Sequence, residues 1–144
     1  MMMFNRYKHT RVEKVDEQTF KVFSAMCDTF HEISIELVVD VMNDEIKAAH
    51  AEFLRQPNII CTETAGLIQK LVGVKLSRGI TKNANELIGG PSGCTHLADL
   101  VLEAAKAYIQ GKFRKQFEDA ESIEKAREEL HQALRGTCWY HTRQ

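Results

Sequence analysis

The chain has 144 residues, of which 19 are basic and 20 acidic, for a formal net charge of −1. That length makes one domain, 1–144, which buries about 68–70% of its unfolded surface and needs no disulfide or metal to hold a core. The missing basic excess argues against nucleic acid. No apolar run approaches the roughly 20 residues that span a bilayer, and the start Met1-Met2-Met3-Phe4-Asn5-Arg6 lacks a secretory apolar region, so a cytoplasmic protein without membrane contact is expected.

The first half reads as strand. Tyr7 to Lys14 mixes Thr10 and Val12 with charges, as an edge strand does, and Phe20 to Ser24 is a short aromatic one. From Ile33 the alternation is plain: Ile33, Ile35, Leu37, Val39 and Val41 share one face, and Glu32, Ser34, Glu36 and Asp40 the other. Met42 to Glu45 is a turn, and Ile46 to Leu54 returns as the partner of an antiparallel hairpin. Pro57 and Asn58 end that strand, and Ile59-Ile60-Cys61 leads into the next element.

The second half reads as helix. Thr62 or Thr64 caps a helix with Ala65, Leu67, Ile68, Leu71 and Val72 on one face, ended by Gly73. Leu76 to Leu87 includes a second short helix. Gly89-Gly90-Pro91-Ser92-Gly93 is a tight turn, and a long helix runs from Cys94 to about Phe113, with Leu97, Leu100, Val101, Ala104, Ala105 and Tyr108 inward. Ser122 caps a last helix that Gly136 ends. Residues 1–6 and 139–144 are expected as tails. Strands followed by helices make an α+β fold, a small antiparallel sheet of three or more strands with helices packed on one face.

Four cysteines, Cys27, Cys61, Cys94 and Cys138, contain no CxxC pair, so in a cytoplasmic chain they are free thiols or ligands. Cys94 and His96 open the long helix, whose unpaired N–H groups and dipole favour a thiolate. His31 precedes the clearest strand, Cys61 lies in a loop before a helix, and all of these stand at element ends. His31, Cys61, Cys94 and His96 therefore form a candidate ligand set for zinc or an iron–sulfur cluster, with Cys94 the leading ligand. The plain alternative is a buried structural cysteine beside a capping histidine. Cys27 and Cys138, the latter in Cys138-Trp139-Tyr140-His141, are weaker candidates, and His9, His50 and His131 read as structural or surface residues. The glycine turn lacks the lysine and spacing of a phosphate loop.

The segment from His31 to Ile109 resembles an uncharacterised bacterial family, domain of unknown function (DUF) 2889. The likeness is carried by His31, by Cys61 after Pro57, by Leu71-Val72-Gly73 and by Gly93-Cys94-Thr95-His96-Leu97. More distantly, Ile46 to Ala65, Leu67 to Gly73 and Cys94 to Tyr108 resemble the NifU-like and IscU-like iron–sulfur cluster assembly scaffolds, although Cys94-Thr95-His96 stands where those have an adjacent His-Cys pair. That second resemblance implies a three-stranded antiparallel sheet with its ligands gathered at one end. The function expected is a metal-binding, scaffold-like or accessory protein, with a protein client and a second copy in a homodimer as its candidate partners. The alternatives are an enzyme using Cys94 as nucleophile with His96, or a metal-free domain that binds a ligand or partner.

Overall fold

The computed structural model describes residues 1–143 and divides the chain into two compact units, Met1–Ile109 and Gln110 to the C-terminus. The first unit carries an antiparallel sheet of four strands in sequence order: β1 Arg6–Lys14, β2 Thr19–Asp28, β3 Glu32–Asp40 and β4 Glu45–Arg55. The hairpin of β3 and β4 forms as the alternation requires, with Leu37 opposite Ala49 and Ile35 opposite Ala51. The sheet thus has one strand more than the scaffold resemblance implies.

Strand β2 is longer than its sequence suggested. Its even-numbered residues, Phe20 through Asp28, face inward and are buried, while Lys21, Phe23, Ala25 and Cys27 lie on the outer face. Tight turns join the strands, and Asp44 in the β3–β4 turn takes the left-handed conformation with φ 58°.

Between β4 and the first α-helix, Ile59–Leu71 winds as a 3-10 helix rather than the expected α-helix. Its N-cap is Asn58, whose side chain accepts from the Ile60 N–H, in place of Thr62 or Thr64; those two threonines bond carbonyls behind them, at Ile59 and Cys61. Helix α1, Ile80–Leu87, follows, then the glycine turn and α2, Thr95–Asp119. The inward residues of α2 repeat every three or four positions from Leu97 to Tyr108. They close a core with Ile68, Leu71, Leu76, Ile80, Ala84 and Ile88 over the inner face of the sheet. One face of the sheet is thereby covered and the other open, the α+β arrangement expected.

In the second unit, Ser122 caps α3, Ile123–Ala133, by accepting from the Lys125 N–H, and α4 spans Trp139–Thr142. Among the described residues no helix is long and apolar enough to cross a membrane.

Candidate functional site

The turn between β2 and β3 is built on Asp28. Its carboxylate oxygen Oδ1 accepts from the Phe30 N–H at 2.8 Å and the His31 N–H at 2.7 Å, an Asx-type turn that sets where His31 enters β3. The other oxygen, Oδ2, accepts from Nε and Nη2 of Arg6 at 2.8 and 2.7 Å. Arg55, from β4, donates Nη1 to the carbonyls of Asp28 and Thr29 at 2.8 and 3.0 Å. Thr29 N–H donates to the Asn5 carbonyl, which ties the N-terminal segment to the same turn. Arg6 of β1 and Arg55 of β4 thus hold the turn from two further strands.

Asp28 is 5% exposed. Burial works to raise its pKa, but the Phe30 N–H, the Arg6 guanidinium and the two donors of His31 outweigh it and hold the carboxyl well below the ordinary aspartate range. An ionised Asp28 has only acceptors, so the His31 Nδ1 that lies 3.0 Å from Oδ1 must carry a proton and donate it. That leaves Nε2 of His31 as the outward nitrogen, with a lone pair whenever the ring is neutral.

His96 meets this ring. The His31 and His96 centroids are 4.2 Å apart at an interplanar angle of 48°. His96 is set by the glycine turn: the Cys94 N–H donates to the Ile88 carbonyl at 2.7 Å, and the Cys94 carbonyl accepts from the Ala98 N–H, which makes Cys94 the N-cap and places His96 at the second helical position. Burial first, then the charges of His31 and Arg6, push the His96 imidazole below its ordinary pKa, against the pull of Asp28 and Asp99. His96 is accordingly neutral at pH 7.

Of the four residues expected to converge, the structure thus brings together two. Cys94 is half-buried and packs against the hydrophobic core, and among the described residues no hydrogen bond reaches its sulfur. Cys61 is half-buried in the first turn of the 3-10 helix, its N–H on the Asn58 carbonyl. Among the described residues no group of three or more His, Cys, Asp or Glu side chains stands ready to hold a metal ion. Cys27 lies on the outer face of β2, its sulfur accepting from Arg55 Nη2 at 3.3 Å, away from the inward Asp28. Cys138 belongs to the second unit, exposed at the start of α4. There His141 pairs with His131, their Nδ1 atoms 2.9 Å apart, so His131 is more than a surface residue.

Asp28 and Arg6 were not singled out in the sequence. The one signal for Asp28 was its place three residues before His31 at a strand end, where an aspartate both shapes a turn and reaches the ring.

The model of a family described as "Protein of unknown function (DUF2889)" matches residues 8–110. The chain belongs to that family. The DUF2889 match covers β2, β3, β4 and β1 from its third residue, with His31, the glycine turn and His96, so the Asp28–His31–His96 cluster lies within it, while Arg6 precedes its first residue. No curated protein and no solved structure matches the chain, and the likeness to the NifU-like and IscU-like scaffolds gains no support.

Proposed function

We propose that the protein binds a divalent transition-metal ion through the imidazoles of His31 and His96. The observation that carries this is the bond from His31 Nδ1 to the buried, ionised Asp28. A metal-ligating histidine characteristically gives its other ring N–H to a carboxylate, which fixes the tautomer and turns the free nitrogen to the ion. His96, held neutral, offers a second nitrogen without a proton to displace at pH 7. Two imidazoles suit zinc, copper or nickel better than calcium or magnesium, and two protein ligands leave positions for water or a ligand. The two cysteines of the expected set have no part in this site, and an iron–sulfur cluster, which takes thiolates, fits it less well.

Titration of metal-free protein with zinc, followed by calorimetry and by the ring-proton NMR signals of the histidines, tests this. One ion should bind and shift the His31 and His96 signals, and His31→Gln or His96→Gln should each weaken binding by about 10–100-fold or more. Zinc binding that survives both substitutions, or none at micromolar concentration, overturns the reading. In the second case the Asp28–His31 pair is left as a general base on the enzyme alternative, with His31 rather than His96 the oriented imidazole.

A further inference from the structure

Arg6 does more than neutralise Asp28. Its Nε and Nη2 are spent on the carboxylate, but among the described residues Nη1 makes no hydrogen bond, and the side chain is 33% exposed. Asp28, which holds the guanidinium, also holds the His31 ring that packs against His96, so one carboxylate joins Arg6 to the histidine pair. Next to the guanidinium stand two aromatic rings that the core does not use. Phe4 lies 5.2 Å from the guanidinium carbon and stacks on Phe30 with centroids 6.4 Å apart at 28°. The two rings are 48% and 53% exposed, and Phe30 directly precedes His31. A cation with an unused donor, flanked by exposed stacked rings and joined through Asp28 to a histidine pair, is a recognition arrangement rather than a solvated surface.

We infer that the His31–His96 site takes a carboxylate with an apolar ring, its oxygens on the free Nη1 of Arg6 and its ring against Phe4 and Phe30. Asp28 is part of the design. It anchors the guanidinium through two of its nitrogens and so presents the third without loss of side-chain freedom on binding. Asp99, on the same helix as His96, is already engaged by Lys8. This inference rests on the reading of His31 and His96 as a binding site, but it does not need the metal.

The test is therefore made on metal-free protein, with benzoate as probe and the ring-proton NMR signals of His31 and His96 as readout. Benzoate should shift both signals at millimolar concentration. Acetate, which lacks the ring, and benzyl alcohol, which lacks the charge, should each bind at least about tenfold more weakly. Arg6→Lys keeps a charge for Asp28 but loses the planar fork, and should weaken benzoate about tenfold. Phe30→Ala lies outside the ion-pair network, folds independently of it, and should weaken benzoate while leaving acetate unchanged. Histidine signals that benzoate does not move overturn the inference, as do acetate binding as tightly as benzoate and equal benzoate affinity in wild type and both variants. Zinc binding without benzoate binding sinks this inference alone, and benzoate binding without zinc binding sinks the metal reading alone.

Discussion

Gly93 passes so close to Ile88 that a Cβ on it would stand 2.1 Å from the Ile88 carbonyl oxygen and 2.5 Å from its carbon. The same oxygen accepts the Cys94 N–H at 2.7 Å. Because φ at Gly93 is −148°, a value open to any residue, space alone demands glycine here. This close pass sets the first turn of α2, and with it the position of His96 against His31.

Gly93→Ala should therefore force the turn open. The obstacle is backbone, which cannot rotate away as a side chain can, so a loss of about 1–3 kcal/mol is expected, the range seen for overpacked sites. The His96 signals should move even where the fold survives. Gly66→Ala, with nothing within 4 Å of the added carbon, should change stability by no more than about 0.5 kcal/mol. Chemical denaturation of the two variants side by side decides it, and equal losses would show that the close pass does not matter.

Acid should attack the Asp28 turn. A carboxyl whose folded pKa lies below its unfolded value stabilises the fold above the unfolded value, near 3.9, and that stabilisation drains away as pH falls through the folded value. Asp28 is such a group. Asp28→Asn should cost about 2–3 kcal/mol at pH 7, less than for a fully buried ion pair because Arg6 is one-third exposed. Its penalty should shrink as the pH is lowered below 4, since the wild type is by then losing the same contribution. A penalty constant from pH 7 to pH 2 would rule out an ionised Asp28 as its source.

His96 gives a second pH signature, at milder pH. Its folded pKa lies below the unfolded value, so the unfolded chain binds the proton more readily and stability falls as pH drops below about 6.5. His96→Gln should flatten that part of the stability curve. The change is read from denaturation midpoints between pH 7 and pH 5, and a curve that keeps its slope in the variant would place the titration elsewhere.

The parts of the fold visible in the sequence are those governed by local periodicity. Ile33 to Val41 and Leu97 to Tyr108 each bury one face, so their spacing gave away both element and orientation. Strand β2 was cut short because Ser24, Ala25 and Cys27 interrupt the apolar alternation, although Ser24 is buried in the middle of it. The 3-10 segment has the apolar residues of an α-helix, and its tighter winding is not written in that pattern. The site was half legible. His31 and His96 stood out as histidines at element ends, and the topology that joins those ends also joins them. Cys94 stood out for its chemistry but packs on the core, the commoner fate of a lone cysteine. The Arg6–Asp28 pair has no signature in the sequence, because an ion pair between the first and second strands depends on register, Arg6 opposite Asp28, and register is not visible in either strand alone.

The middle of α2 is fixed by a different bond, with a signature at the opposite end of the pH scale. Tyr108 is fully buried, edge-on to Phe20 at 6.1 Å, and its hydroxyl donates to Asp44 Oδ1 at 2.6 Å. Asp44 sits in the β3–β4 turn, where its carbonyl also accepts the Leu76 N–H at 2.8 Å. Burial first, then the Asp44 carboxylate, push the Tyr108 hydroxyl far above its ordinary pKa. Tyr108→Phe keeps the ring and its packing and removes the bond, for a loss of about 1.5–3 kcal/mol at pH 7, as befits a hydrogen bond to a charged acceptor. A group whose folded pKa is raised loses its stabilising share as pH climbs past the unfolded value, near 10 for tyrosine. The gap between wild type and Tyr108→Phe should therefore narrow above pH 10, because the unfolded wild type can ionise there and the Phe variant has nothing at 108 to ionise. Urea denaturation of both proteins at pH 7 and at pH 11 measures that gap, and a gap that stays constant would mean that the buried hydroxyl does not hold its proton for the fold.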